Sequence, residues 1–370
     1  MLPRSPFAGS LPPRLSRRTL LLLAALAAPL SGAGAGAGAD SATPFAEPSP
    51  GVDDAPVPVT FPRDDGPHDA KLEWWYYTGH LRTADDRAYG FEFVVFKGQQ
   101  GVLNGYASHF AITDSATKSF HYDQRLIFAP PTARDAADRF DLTVDAWRLQ
   151  GGGGSDALVA AMPGYGLDVT LESRKPPALH DGDGYIAYGS GEASYYYSRT
   201  RMAVAGSLTL DGVAQPVTGE AWFDHQWGNF ATYQKGGWDW FSVQLENQTD
   251  LMLYVIRAPD GSPLIVDGSV VAPDGAVTVL DRGDFTTSPT GSWTSPATGV
   301  VYPSGWTVAL PKQKIELTLT PSQADQELDV RKSTRNIYWE GEVAVAGTMD
   351  GAPVAGLGYV ELTGYTSTKP

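Results

Sequence analysis

Every second side chain is large and apolar in the stretch Tyr89-Gly90-Phe91-Glu92-Phe93-Val94-Val95. The same spacing of two recurs at Leu208 and Leu210 and in the stretch Ile315-Glu316-Leu317-Thr318-Leu319. Because successive side chains of a β-strand point to opposite faces, this spacing indicates strands with one buried face. Short strands separated by Gly and Pro turns, without alternating helices, predict an all-β fold.

The chain is too long for one ordinary domain. About 330 residues remain once the first 39 are set aside, whereas single hydrophobic cores stop growing near about 250–300 residues. We therefore predict two β-barrel domains, at residues 69–204 and 205–370, with a single large sandwich as the alternative. Residues 242–257 are predicted to form a hairpin, because alternating apolar residues flank a polar turn. A short helix is expected at residues 132–139.

The N-terminus has the three parts of a signal peptide. Four arginines precede an apolar run at residues 20–30, and a stretch of small residues follows that run. Arg17 and Arg18 stand immediately before the run, which is the twin-arginine arrangement; an ordinary secretory signal is the alternative. We predict a cleaved signal at residues 1–39, a Pro- and Ala-rich tether at residues 40–68, and a periplasmic or secreted mature protein.

The charge and the cysteine content exclude several classes of function. Removing the predicted signal takes away four basic and no acidic residues, so the net charge changes from −15 to −19. A surface this acidic repels nucleic acid and anionic lipid headgroups. No later apolar segment approaches the roughly 20 residues of a membrane-spanning helix, so no integral membrane segment is expected after cleavage. The sequence has no cysteine, which excludes disulfides and thiolate chemistry.

The most unusual stretch of the sequence is Glu73-Trp74-Trp75-Tyr76-Tyr77-Thr78-Gly79-His80. On a strand, Glu73, Trp75 and Tyr77 share one face, and the intervening residues share the other. Both faces are therefore aromatic, as in a strand buried on both sides. The functional interpretation is that Glu73 lies in an aromatic cavity, where burial raises the pKa of a carboxyl group and makes it a usable acid.

A second stretch, Trp222-Phe223-Asp224-His225-Gln226-Trp227, concentrates a carboxylate, an imidazole and two indoles. If it is extended, Asp224 and His225 point to opposite faces, and His225 shares its face with Trp227. A hydrogen-bonded core histidine would explain the pattern without function, whereas the density of reactive groups favours a site. Trp238-Asp239-Trp240 repeats the mixture of indole and carboxylate.

Other chemistries have weaker support in the sequence. A zinc site could form if His80, His109, His225 and Asp224 converged, but no pair of histidines has metal-ligand spacing. No Gly-x-Ser-x-Gly elbow indicates a serine hydrolase, and no Gly-x-Gly-x-x-Gly turn indicates a dinucleotide site. A carbohydrate-active protein remains an alternative, with indoles stacked on sugar rings and Glu73 and Asp224 as paired carboxylates.

Three separated blocks resemble the signature of the AttH-like and carotenoid 1,2-hydratase (hydroxyneurosporene synthase) family. They are Glu73-Trp74-Trp75-Tyr76-Tyr77-Thr78-Gly79-His80-Leu81, Trp222-Phe223-Asp224-His225-Gln226-Trp227-Gly228, and Tyr338-Trp339-Glu340-Gly341 followed by Gly358-Tyr359-Val360-Glu361-Leu362-Thr363-Gly364-Tyr365. The resemblance implies two lipocalin-like antiparallel β-barrels packed together. It also implies a cavity for an apolar ligand, because the family's activities hydrate a carbon–carbon double bond or perform a pericyclic cyclisation on isoprenoid or polyketide-like molecules.

The resemblance assigns His225 and Trp227 to the active site, with Asp224 as the acid or as the group that orients the imidazole. The hydratase pattern continues with a Tyr-x-Asp pair on a later strand, whereas this chain has Tyr254-Val255-Ile256 there. The acid expected at that place is missing, and Asp239 is the substitute that we consider. Protonation of an alkene also needs an aromatic face for the cation that forms.

Together these observations predict an exported protein that binds an apolar, isoprenoid or lipid-like molecule and hydrates a double bond without a cofactor or a metal. The alternative is a non-catalytic carrier of lipids or an accessory protein of a transporter. The expected catalytic residues are Asp224, His225, Trp227 and Asp239. Contacts to the ligand are expected from Glu73, Trp74, Trp75, Tyr77, Trp238 and Trp240.

Overall fold

The all-β prediction is confirmed. The computed structural model describes residues 56–100, 103–129, 138–189, 191–230 and 236–365. In these ranges the chain forms 22 strands and one short 3-10 turn, Arg63–Asp65, and no α-helix. No helix in this part of the chain is long and apolar enough to cross a membrane. The predicted signal peptide, residues 40–55 of the predicted tether and residues 132–137 of the predicted helix lie outside the described residues.

The first sheet is an antiparallel barrel that nearly closes on itself. Its strands in chain order are β1 (Leu72–Thr83), β2 (Ala88–Gln100), β3 (Leu103–Asp114), β4 (Ser119–Ala129), β5 (Phe140–Val144), β6 (Trp147–Gly152), β7 (Ser155–Met162), β8 (Tyr165–Ser173), β9 (Ala178–Leu179), β10 (Tyr185–Gly189), β11 (Glu192–Leu210) and β12 (Val213–Asn229). They pair in the order β4-β3-β2-β1-β12-β11-β8-β7-β6-β5, and β9 and β10 also pair with β11. Arg125 on β4 forms an ion pair with Asp145 beside β5 (Nε–Oδ2 3.2 Å), which brings the two ends of the sheet together.

The second sheet repeats this antiparallel architecture. Its strands are β13 (Trp238–Leu245), β14 (Asp250–Arg257), β15 (Pro263–Val271), β16 (Val277–Leu280), β17 (Thr286–Thr294), β18 (Val301–Leu310), β19 (Ile315–Pro321), β20 (Glu327–Asp329), β21 (Ile337–Met349) and β22 (Ala352–Leu362). Their order is β16-β15-β14-β13-β22-β21-β19-β18-β17, with β20 on β21. The predicted hairpin at residues 242–257 is confirmed, because β13 and β14 pair with Val243 opposite Leu251.

The first sheet ends with β12 at Asn229 and the second begins with β13 at Trp238, whereas the predicted domain boundary lies at 204/205. Strand β11 runs through the predicted boundary, and β12 pairs with β1 from Leu72 opposite Gly228 to Thr83 opposite Val217. Alternation of apolar residues identifies such strands, but it does not predict which distant strand each one pairs with. Pairing between β1 and β12 therefore extends the first domain by about 25 residues relative to the prediction.

The end of the predicted tether is part of the first domain. Asp65 is buried, and its Oδ1 accepts hydrogen bonds from the Tyr197 hydroxyl (2.8 Å) and from Arg199 Nη2 (2.7 Å). Its Oδ2 accepts a hydrogen bond from the backbone N–H of Gly153 (2.9 Å). These polar contacts hold the segment to the first domain, together with the burial of Val59 in the first core and the packing of Phe61 on Tyr197.

Two apolar cores fill the sheets, a third joins them, and a smaller fourth cluster packs Ala111 of β3 against Leu328 and Tyr338 of the second domain. The first core lies inside the first barrel, the second lies inside the second sheet, and the third lies where β1, β2, β11 and β12 face β13, β14 and β22. On β1, Trp75 and Tyr77 belong to the first core, whereas Tyr76 belongs to the third, with Trp74 packed against it. The strand is thus buried on both faces, as its two aromatic faces predict.

A buried ion cluster also links the two domains. Asp250, which is fully buried at the start of β14, accepts hydrogen bonds from Lys175 Nζ (2.7 Å), Arg201 Nη2 (2.7 Å) and the Thr200 hydroxyl (2.8 Å). The three donors belong to the first domain. One carboxylate of the second domain therefore contacts two buried cations of the first, of which Arg201 also pairs with Glu220 of its own domain.

We expect Asp250→Asn to lower the free energy of unfolding by about 3–5 kcal/mol, because it leaves the buried Lys175 without its anion and Arg201 with only the half-exposed Glu220. Unfolding by urea at neutral pH measures the change. Asp86→Asn is the matched control, since the Arg82–Asp86 pair has side chains that are 57% and 83% exposed and should contribute less than about 1 kcal/mol. Equal losses in the two variants would contradict a specific role for the buried cluster.

Candidate functional site

Strand β12 distributes its reactive side chains between two compartments. It pairs with β1 so that Trp75 lies opposite His225 and Tyr76 lies opposite Asp224. His225 and Trp227 point into the first barrel, whereas Asp224 points to the contact between the domains. This arrangement confirms the opposite orientation that the sequence predicts for Asp224 and His225. The four expected catalytic residues consequently do not form one site.

The first compartment holds a buried polar cluster around Glu73. Glu73 Oε1 lies 3.0 Å from His225 Nε2 and 2.8 Å from His68 Nδ1, and Oε2 accepts a hydrogen bond from Lys97 Nζ (2.9 Å). The backbone N–H of His68 donates to both oxygens at 3.0 Å. The ring of His68 stacks on Trp227 with centroids 3.8 Å apart. The cluster ties the segment before β1 to β1, β2 and β12.

Electrostatics keep Glu73 ionised despite its burial. Burial alone would raise the pKa of this carboxyl group, but hydrogen bonds from His225 and His68 lower the pKa to about 2. Burial lowers the pKa of His225, so its imidazole is neutral at neutral pH. Glu73 is therefore a poor proton donor, contrary to the role that its aromatic surroundings suggest in the sequence.

The structure separates the histidines of the zinc site that the sequence analysis considers as an alternative. His80 Nδ1 lies 2.9 Å from Glu342 Oε1, and His109 Nδ1 lies 2.8 Å from the Tyr338 hydroxyl. A different set, His68, Glu73 and His225, has ligand atoms within 4.8 Å of one another and could hold a cation. Lys97 already neutralises the carboxylate of that set, so the cluster is satisfied by its own ion pair and hydrogen bonds.

The second compartment is an aromatic pocket between the two sheets. Its volume is about 90 Å³. Strands of both domains line it, together with Phe230, and its lining contains no lysine or arginine. The lining residues are Trp74, Tyr76, Phe96, Tyr188, Tyr196, Asp224, Gln226, Phe230, Trp238, Trp240, Tyr254, Ile256 and Glu361.

Asp224 enters this pocket from the first domain. Its Oδ1 accepts hydrogen bonds from the Trp222 indole (2.6 Å) and from the Ser198 hydroxyl, and its Oδ2 accepts one from the Tyr196 hydroxyl (2.6 Å). Burial raises its pKa to about 7, and the three hydrogen bonds oppose that rise. The pocket thus contains a carboxyl group that can be protonated near neutral pH.

Glu361 enters the same pocket from β22 of the second domain. Its Oε2 accepts a hydrogen bond from the Trp238 indole (2.7 Å), and burial raises its pKa to about 7. Our assignment of site residues from the sequence missed Glu361. In the sequence the stretch Gly358–Tyr365 carries only the family resemblance, whereas in the structure Glu361 of β22 lies opposite Trp240 of β13.

The remaining predicted residues divide between the compartments. Trp74, Trp238 and Trp240 line the pocket, whereas Trp75 and Tyr77 face the interior of the first barrel with Glu73. Asp239 does not line the pocket; its carboxylate accepts a hydrogen bond from the Tyr365 hydroxyl (2.9 Å) and lies 3.4 Å from Arg257 Nε. The paired carboxylates of a sugar hydrolase would have to share a cavity, and Glu73 and Asp224 do not.

We expect Glu73→Gln to weaken the dependence of stability on acid. The pKa of Glu73 is about 2 in the folded protein and about 4.5 in an exposed carboxyl group, so its stabilisation is present above pH 4.5 and is lost as the pH falls toward 2. The wild type should lose roughly 3 kcal/mol more than the variant over this interval. Unfolding free energies at several pH values measure the difference.

The control for this prediction is Glu316→Gln, the same change at an exposed position of β19. It should leave the pH profile of the wild type unchanged. A Glu73→Gln profile parallel to that of the wild type would show that the carboxylate is not held ionised by the cluster.

Comparisons with known proteins agree with this fold. The sequence profile described as AttH-like matches residues 52–365. A solved structure of a putative AttH from Nitrosomonas europaea is 31% identical in sequence, with a TM-score of 0.76 over 84% of this chain and 98% of that one. Kievitone hydratase from Nectria haematococca is 17% identical, with a TM-score of 0.67 over 83% of this chain and 93% of that one.

The structure of CghA shares the fold at 13% identity, with a TM-score of 0.55 over 80% of this chain and 88% of that one. A comparison with curated proteins gave no match. The profile match covers most of the chain, and the two-sheet architecture agrees with its structural neighbours. The chain therefore belongs to the AttH-like family.

Proposed function

We propose that this protein is an exported enzyme that hydrates a carbon–carbon double bond of an apolar molecule in the pocket between its two domains. The observation that carries the proposal is Asp224, a carboxyl group with a raised pKa that opens into an aromatic pocket. The reaction adds one water to the double bond and requires no cofactor. Kievitone hydratase, by its name a hydratase, shares the fold.

Asp224 is the proton donor in this proposal. Two donors occupy both lone pairs of Oδ1, and the Tyr196 hydroxyl occupies one lone pair of Oδ2. One position on Oδ2 remains for the acidic proton. The Tyr196 hydroxyl is itself fixed, because it accepts a hydrogen bond from the Trp240 indole (3.0 Å). The hydrogen-bond network thus fixes the carboxyl group in one orientation.

The walls of the pocket suit the cation that protonation creates. A proton from Asp224 adds to one alkene carbon, and the other carbon becomes electron-deficient until water adds to it. Faces of electron-rich rings stabilise such a centre by about 0.5–2 kcal/mol each. The proton that the water loses returns to the Asp224 carboxylate, so the acid is regenerated.

The volume of the pocket limits what it encloses. A cavity of about 150 Å³ holds the six carbon atoms of benzene, so about 90 Å³ has room for roughly four non-hydrogen atoms. That is the size of the reacting end of an isoprenoid chain and not of the whole chain. We therefore propose that the substrate presents one terminal unit to Asp224.

Water labelled with heavy oxygen separates hydration from simple carriage. The purified protein is incubated with a lipid extract of its host in this water, and the extract is analysed by mass spectrometry. Hydration predicts products heavier by one labelled water. A retained molecule that stays unchanged on prolonged incubation would instead support the alternative, a carrier or transport accessory protein.

We expect Asp224→Asn to abolish hydration, because the amide cannot supply the proton. Turnover by the wild type should decline as the pH rises above about 7, approaching about a tenfold loss per pH unit, because the protonated acid is consumed. Initial rates between pH 5 and 9 measure this profile.

Asp156→Asn is the matched control for this experiment. Burial also raises the pKa of Asp156 to about 7, but this residue lies inside the first barrel, where it accepts a hydrogen bond from Tyr77 (2.9 Å). Its removal should leave the rate and the pH profile unchanged. Turnover retained by Asp224→Asn, or lost equally in both variants, would refute the role of Asp224.

A further inference from the structure

The pocket contains two carboxyl groups that lack a basic partner. Asp224 and Glu361 face it from opposite domains, and the donors to both are neutral indoles and hydroxyls. Among the described residues, Glu73 and Asp65 are buried beside their own cations, Lys97 and Arg199. Three other buried carboxyl groups resemble the pair in the pocket, because their side-chain donors are tyrosine hydroxyls: Glu92, Glu340 and Asp156. The lining of the pocket includes no lysine or arginine.

The rings around these carboxyl groups form a box. Trp74 and Phe230 meet at 71° with centroids 5.2 Å apart, and Tyr76 and Trp240 meet at 83° with centroids 5.3 Å apart. The lining therefore contains rings at steep angles to one another, so their faces point in several directions. Aromatic boxes of this kind bind quaternary ammonium groups through the negative potential of ring faces.

From this geometry we infer that the pocket binds a compact organic cation, of the class of quaternary or tertiary ammonium headgroups. Its two carboxylates would supply the counter-charge, and its ring faces would surround the alkyl groups of the cation. The inference rests on the pocket of the proposed function and deepens it. A stable ammonium cation would occupy the place of the transient carbocation that protonation of the alkene creates. It does not require turnover.

Proton linkage gives the inference a second signature. Burial raises the pKa of both Asp224 and Glu361 to about 7, and a bound cation favours their ionised forms. Binding should therefore release protons and strengthen as the pH rises through 7. A neutral ligand of the same shape should show neither effect.

Choline and 3,3-dimethylbutan-1-ol provide the matched pair of probes, since they differ only in whether nitrogen or carbon carries the three methyl groups. Calorimetric titration of the full chain at pH 8 should show choline binding about tenfold more tightly than the alcohol. Lowering the pH to 6 should weaken choline binding by roughly tenfold and leave the alcohol unaffected. The enthalpy measured in buffers of different ionisation enthalpy should report the released protons.

The double variant Asp224→Asn, Glu361→Gln keeps the shape of the pocket and should abolish both the preference for choline and its pH dependence. Asp156→Asn should retain both. Trp74→Leu, at a partly exposed wall, should weaken choline more than the alcohol. Thermal unfolding shows whether each variant is folded at the temperature of the titration. A variant that is unfolded there is not interpreted, and the test then depends on the comparison of choline with the alcohol in the wild type.

Equal affinities for choline and the alcohol in the wild type, or no binding of either, would overturn the inference. So would a preference for choline that persists unchanged in the double variant. These results are distinguishable from failure of the proposed function. Hydration without a preference for choline would overturn only the cation site, whereas a pH-dependent preference without hydration would overturn only the enzyme.

Discussion

The structure depends on one constraint: strand β1 is paired to the second half of β12, residues 221–227, and both segments are buried on both faces. A strand buried on both faces has no solvent side, so alternation distributes its side chains between two different interiors. On β12 this places His225 in the first barrel and its neighbour Asp224 at the contact between the domains. The β1 and β12 motifs are dense in aromatic and polar residues because the side chains of each strand pack into two different interiors.

The two interiors treat their carboxyl groups in opposite ways. Inside the first barrel, Glu73 has a lysine and two imidazoles around it, and its pKa is low. At the contact between the domains, Asp224 has only neutral donors, and burial raises its pKa. Burial is nearly complete for both groups, so the presence or absence of a basic partner decides which one can carry a proton at neutral pH. Glu73, held ionised by its partners, contributes to stability, whereas Asp224 has the raised pKa that our proposed proton donor needs.

Local patterns in the sequence predicted much of the fold and part of the site. Period-two spacing identified the strands, and alternation correctly placed Asp224 and His225 on opposite faces. The domain boundary could not be found in this way, because the pairing of β12 with β1 joins residues about 150 positions apart. Lys97 and Glu361 were missed for the same reason: each acquires its partner through a distant strand, and alone each resembles any charged residue of a sheet.

The remoteness of His225 and Trp227 from the pocket does not make them irrelevant to it. His225 and Asp224 are consecutive on β12, and their partners Trp75 and Tyr76 are consecutive on β1. The hydrogen bond between His225 and Glu73 and the stacking of Trp227 on His68 stabilise the register of β12 against β1. A change of register by one residue would exchange the faces of the strand and move Asp224 into the barrel. In our proposal, the barrel cluster therefore positions the acid that the pocket uses, which is how a buried His-x-Trp pair can matter for a reaction on the other side of the strand.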